Sequence, residues 1–295
     1  MPTSDENGLC SVRRLRVTSG GGIGLVYREY RPSEISKPDI VFVHGLASSG
    51  VQFDGEARYF AQLGHRVLVP DLRGHGASGV PAGRIINEDF AIPVMARDVM
   101  DILDHAGAST VHWVGNSLGG ILALSMLGTT DSNRLASLAL FGTCFSMDLP
   151  PQVSRLLRLS FLPGAPVTAW LTARTTTGSA VGRVAIEEAI RQFNVAAGAA
   201  IAQNVRNYDF VDSPLAFRRP LLVLRGGRDY AVNLRLGRDI DKFAPVLNFK
   251  RVDLPQGGHC ANFDMPMQFR QSLQEHWGRA TLHRAASALM GENIS

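Results

Sequence analysis

Two rhythms of apolar and polar positions alternate along this chain. Short apolar runs, Ile40 to Val43, Val67 to Val69, Val111 to Val114 with His112 within it, Leu138 to Phe141 and Leu221 to Leu224, have the length and content of strands buried on both faces, and the mixed Phe249 to Leu254 is read as a further strand. Two further strands are predicted near Leu15 to Thr18 and Leu25 to Tyr30. Between the runs the spacing turns helical over Val51 to Leu63, over Asp89 to His105 with Pro93 in the first turns, over Gly120 to Leu127 and over Pro266 to Trp277. Strand and helix in alternation predict an α/β fold, a mostly parallel sheet flanked by helices on both faces.

One stretch breaks the alternation. From about Phe145 to Ser213 no strand of the sheet is expected. The stretch holds a helix-like Val153 to Leu159, a Pro163-Gly164-Ala165-Pro166 break, a polar Thr175 to Ser179 segment and an alanine-rich amphipathic segment from Ala185 to Val205. A structureless loop of that length is implausible in a compact domain, so a helical insertion is expected. The resulting division is a first core part over 1–144, the insertion over 145–213 and a second core part over 214–295.

Composition narrows the class without naming a function. The 295 residues can bury a sizeable core, and the formal charge of +4 comes from dispersed arginines rather than a basic cluster, which argues against nucleic-acid binding. Cys10, Cys144 and Cys260 are odd in number and scattered, so neither a disulfide framework nor a metal site is expected. The segment Met1 to Cys10 is polar, and no run reaches the ~20 apolar residues of a membrane helix. The expectation is a cytoplasmic protein without a membrane partner.

The most informative motif is Gly115-Asn116-Ser117-Leu118-Gly119. A strand-like run precedes it and a helix-like run follows, the context in which G-x-S-x-G forms a nucleophile elbow that thrusts its serine into a pocket. A hydroxyl is a weak nucleophile at neutral pH and calls for a histidine base held by a carboxylate. Downstream, the apolar run Pro220 to Leu224 leads into Arg225-Gly226-Gly227-Arg228-Asp229, and the later run Lys250 to Leu254 leads into Pro255-Gln256-Gly257-Gly258-His259. The chain order is Ser, Asp, His, each just beyond a strand.

At these residues the sequence resembles the alpha/beta-hydrolase superfamily, from about Gly22 to about Trp277. Val41-Phe42-Val43-His44-Gly45-Leu46 is similar to that family's strand and HG turn, and Asp71 to Ser78 resembles its D-x-R-G-x-G-x-S loop. The resemblance implies Ser117 as nucleophile, His259 as general base and then acid, Asp229 as the residue orienting His259, and the backbone N–H groups of Leu46 and Leu118 as oxyanion donors. It also implies that the insertion is a lid after the sixth strand, and that no metal or organic cofactor is needed. His44 is expected to brace the oxyanion loop, and His75 likewise. His65, His105, His112, His276 and His283 are expected to be surface or packed residues. Asp148, shortly after the strand Leu138 to Phe141, is the rival to Asp229.

The reaction expected is cleavage of a small-molecule acyl compound, in the first place a carboxylic ester. One alternative is a C–C or amide hydrolase acting on an anionic small molecule. Gly115-Asn116-Ser117 resembles the elbow of meta-cleavage C–C hydrolases, although Cys260 stands where those have tryptophan. Another alternative is a ligand receptor of the same fold with little turnover. Between Leu149 and Val205 five arginines outnumber Glu187 and Glu188, which suits an anionic substrate and makes Arg191 the candidate for binding it.

Overall fold

The computed structural model describes residues 3–4, 10–243 and 248–291, so most of the polar segment Met1 to Cys10 lies outside the described residues. The main sheet contains β1 (Cys10–Thr18), β2 (Gly24–Pro32), β3 (Lys37–Val43), β4 (His65–Asp71), β5 (Val111–Asn116), β6 (Leu135–Phe141), β7 (Leu221–Gly226) and β8 (Phe249–Leu254). Thr3–Ser4 pair antiparallel outside β1. The spatial order is β1-β2-β4-β3-β5-β6-β7-β8. The pairs β1–β2 and β2–β4 are antiparallel, and every later pair is parallel. The chain reverses its direction of travel across the sheet between β3 and β5, and at such a switch point the loops beyond the strand ends diverge and leave a crevice.

Strand periodicity divides the core. On β3, Val41 and Val43 face one side with Val99, Leu103 and Leu122, while Ile40 and Phe42 face the other with Phe60, Ala61 and Phe269. Those partners belong to α2 (Ile92–His105) and α3 (Leu118–Met126) on the first side, and to α1 (Asp54–Gln62) and a long C-terminal helix, Pro266–Gly291, on the second. Both faces of the strands are therefore covered, which is why the runs are predominantly apolar.

The insertion follows β6, as expected, and consists of four helices: α4 (Val153–Ser160), α5 (Ala165–Thr176), α6 (Ala180–Arg191) and α7 (Val195–Val205). Two local readings are corrected. The alanine-rich segment is two helices, because Asn194 caps α7 by accepting from the Ala197 N–H and ends the preceding helix. α5 was hidden by Pro166 and its threonines. Pro166 sits in the first turn, where proline costs no hydrogen bond, and buried Thr168, Ala169 and Ala173 supply the packing that propensity lacks. A small antiparallel ribbon, Ser146–Asp148 with Asn207–Asp209, closes the base of the insertion apart from the main sheet. A further helix, α8 (Tyr230–Asp239), connects β7 toward β8, and the Pro266–Gly291 helix is α9.

Candidate active site

The elbow is a backbone device. Ser117 has φ 47 and ψ −112, a left-handed conformation that a side chain adopts at an energetic cost of about 1–3 kcal/mol. Its neighbours show why they are glycine. A Cβ on Gly119 would lie 2.1 Å from the Val43 carbonyl oxygen, and one on Gly115 would lie 2.6 Å from the Gly119 backbone. The strained residue is held by Ser117 N–H donating to the Phe141 carbonyl at 3.0 Å and by Thr143 Oγ1 donating to the Ser117 carbonyl at 3.2 Å.

The loops after β7 and β8 bring the acid and the histidine together. Gly227 N–H donates to Leu254 and Arg228 N–H to Gly257, and the two strands' extensions approach so closely that a Cβ on Gly226 would lie 2.5 Å from the Gly258 carbonyl oxygen. Out of this stitched pair His259 Nδ1 meets Asp229 Oδ2 at 2.9 Å, with the carboxylate side chain only 7% exposed. His259 is tied back to the elbow by Asn116 Nδ2, which donates to its carbonyl at 3.1 Å and to Phe141 at 3.3 Å, while Asn116 Oδ1 accepts from Gln52. Asp148 lies elsewhere, exposed on the ribbon, its carbonyl accepting from Arg235.

The HG turn runs over the elbow. A Cβ on Gly45 would lie 3.1 Å from the Ser117 Cβ. Leu72 N–H donates to His44 Nε2 at 3.0 Å, so the ring proton is on Nδ1, which donates to the Gly45 carbonyl at 2.8 Å. Because C=O and N–H point in opposite directions across a trans peptide, fixing that carbonyl on His44 turns the Leu46 N–H the other way. His75 completes the brace. Its Nε2 accepts from Ala47 N–H at 3.2 Å and its Nδ1 donates to the Arg73 carbonyl at 3.0 Å, holding Ala47 at φ 59. Burial pushes both imidazoles down, His75 to about 3 with the help of His44, so both stay neutral and keep these tautomers. Leu118, at the first turn of α3, contributes a second N–H without an intrahelical acceptor.

The D-x-R-G-x-G-x-S loop is structural. Asp71 accepts from Gly50 and Ala77 N–H groups, Ser78 Oγ donates to the Asp71 carbonyl, and Arg73 pairs with buried Asp98 at 2.5 Å. The insertion meets these loops through apolar side chains. Ala169, Ala173, Ile186 and Ile190 cluster with Cys260, Ala47, Phe161 and Phe263, and a Cβ on Gly74 would lie 2.6 Å from the Ala197 Cβ on α7. Burial pushes the Cys260 thiol up, so it stays protonated and packs beside the histidine. Arg191 is not brought to the other residues. It points outward from α6, 61% exposed and 3.7 Å from Glu187, on the side opposite Ile186 and Ile190.

Sequence reasoning missed Asp264. Its Oδ1 accepts from Thr177 Oγ1, Gly178 N–H and Ser179 N–H, and its Oδ2 from Gly258 N–H at 2.6 Å, so one carboxylate joins the polar turn of the insertion to the histidine loop. Its place one turn beyond His259, before Pro266, was the available signal. Among the described residues no group of three His, Cys, Asp or Glu side chains is placed to hold a metal ion.

Residues 38–166 match the alpha/beta hydrolase fold family. The chain has the alpha/beta-hydrolase fold. It is 26% identical over 245 residues, 75% of this chain and 80% of the relative, to the magnesium-chelatase 30 kDa subunit of Rhodobacter capsulatus. To the sn-1-specific diacylglycerol lipase ABHD11 of Mus musculus it is 25% identical, covering 80% of each chain. The enol-lactonase of Burkholderia xenovorans superposes with a TM-score of 0.77 at 19% identity, covering 90% of this chain and all of that one, which bears on the fold. These names span different activities, so the fold is secure and the substrate is a separate question.

Proposed function

We propose that the chain is a serine hydrolase that cleaves a carboxylic ester of a small, largely apolar molecule through an acyl-enzyme. The observation that carries this reading is the 2.9 Å contact of His259 Nδ1 with buried Asp229, on loops tied to an elbow that holds Ser117 at positive φ. The contact puts the proton on Nδ1 and the lone pair on Nε2. Ser117 Oγ attacks the ester carbonyl as His259 takes its proton. The oxyanion rests on the Leu46 and Leu118 N–H groups, and His259 then protonates the departing alkoxide. Water attacks the acyl group by the same route in reverse, releasing the acid. Residues 145–213 serve as a cap, closing over the site with the apolar cluster of α5 and α6.

Support for an ester comes also from relatives named as a lipase and a lactonase. The apolar cluster of the cap and the outward position of Arg191 favour a neutral substrate over an anionic one. The test is a fluorophosphonate probe with mass spectrometry, alongside turnover of p-nitrophenyl esters. One phosphonyl group on Ser117, absent in Ser117→Ala together with turnover, is the expected result. Labelling elsewhere, or ester turnover surviving in Ser117→Ala above about a tenth of the original kcat, overturns it.

A further inference from the structure

The outer face of the insertion plays no part in the chemistry above, yet its composition is unusual. Of 15 large hydrophobic side chains exposed among the described residues, eight fall between Leu156 and Val184. Helix α4 buries none of its residues and exposes Leu156 and Leu159, and the turn after it exposes Leu162 to 77%. On α5 the residues opposite the buried Thr168, Ala169 and Ala173 are Val167, Trp170 and Leu171, an i, i+3, i+4 stripe left open, and α6 adds Val181 and Val184. Exposed apolar residues scattered singly need no explanation; a concentration on one insertion does.

Charge says what covers it. From Leu149 to Ile186 the chain has no aspartate or glutamate, while Arg155, Arg158, Arg174 and Arg183 interleave with the apolar positions. The Arg174 guanidinium lies 4.2 Å from the centroid of the Trp170 ring and 3.5 Å from Glu187, so Arg155 and Arg158 on α4, rather than Arg174, carry the open positive charge of this face. A second copy docked symmetrically on this face would set arginine against arginine, so self-association is disfavoured. An anionic lipid surface meets both features. Leucine and valine enter the acyl boundary, tryptophan sits at headgroup level, and arginine pairs with phosphate. We propose that the outer face of α4, α5 and the start of α6 docks on an anionic lipid surface. This replaces the expectation of no membrane partner; among the described residues no helix is long and apolar enough to cross a membrane. The inner face of the same insertion packs on Ala47 and Cys260, so docking holds the candidate site close to the lipid. The docking is independent of which bond is cleaved.

Vesicle co-sedimentation of the full chain tests it, with phosphatidylcholine vesicles lacking or containing about one third phosphatidylglycerol, at low and high salt. Sedimentation with the anionic vesicles alone, weakened by salt, is expected. Arg155→Gln with Arg158→Gln should lower the partition coefficient roughly five-fold per arginine, and Leu162→Asp with Trp170→Asp should remove binding. All four side chains are exposed, so melting temperature and far-UV circular dichroism should not change. Equal partition to neutral and anionic vesicles, no partition, or arginine variants that bind like the parent would overturn the proposal. So would a dimer on size exclusion that Leu162→Asp converts to monomer.

Discussion

Replacing Asp229 by asparagine tests the site more sharply than deleting the serine, because it changes a proton's position and almost nothing else. The carboxylate is nearly buried and accepts the Nδ1 proton of His259 at 2.9 Å, leaving on Nε2 the lone pair that the proposed mechanism uses as the base. An asparagine amide group turned toward Nδ1 donates instead, which moves the ring proton to Nε2 and removes the base. If its oxygen faces Nδ1 the tautomer survives, but the negative charge that stabilises the imidazolium is gone. A charge-assisted hydrogen bond exceeds a neutral one by about 1–1.5 kcal/mol, a loss of roughly ten-fold by itself. With the wrong tautomer dominant the expected loss in kcat is on the order of 10⁴, equivalent to about 5 kcal/mol. Steady-state hydrolysis of a p-nitrophenyl ester across pH measures it, with the melting temperature as control for folding. Asp148→Asn, altering an exposed ribbon residue, should stay within about two-fold of the parent. A loss of less than about three-fold for Asp229→Asn, or a larger one for Asp148→Asn, would refute the assignment.

Gly119→Ala should fail to fold or lose at least about 3 kcal/mol in denaturant titration, since its Cβ would meet the Val43 carbonyl oxygen at 2.1 Å. Gly237→Ala, within α8 and with nothing inside 4 Å of the new Cβ, should gain about 0.5–1 kcal/mol in the same assay. Burial pushes His276 down to about 3, so below about pH 6.5 the unfolded chain takes up a proton that the folded chain refuses. Stability should therefore fall with falling pH by up to about 1.4 kcal/mol per unit for this one residue. Glu56, pushed up by burial, acts in the opposite sense, so the quantity to read is the flatter pH slope of His276→Leu relative to the parent. Arg191→Ala should change kcat/KM by less than about two-fold for anionic and neutral esters alike, as its outward, exposed position implies.

Much of the frame was legible because it is written in local chemistry. Apolar runs of strand length mark β3, β5, β6 and β7, and the pleat sends alternate residues of each to the two covered faces. The glycines around Ser117 are readable for the same reason, since a left-handed serine between strand and helix requires small neighbours on both sides. Helix α5 and the division of the alanine-rich segment were not legible. Their stability comes from burying Thr168, Ala169 and Ala173 on one side and from a single capping asparagine, neither of which produces a strong periodic signal.

The residue types and their order along the chain thus determined the groups on which the proposed acyl chemistry rests: a serine at an elbow, then an acid, then a histidine, each at the end of a strand. Tertiary structure decided what distance in sequence conceals. It brought Asp229 rather than Asp148 to His259 by stitching the β7 and β8 loops together, and it turned His44 and His75 into neutral braces by burying them against backbone groups of two loops, 45–47 and 72–73. It also faced the apolar side of α6 toward the site loops and Arg191 away from them. A helix's composition is fixed by its sequence, but which of its sides looks inward is settled by the neighbours that bury it.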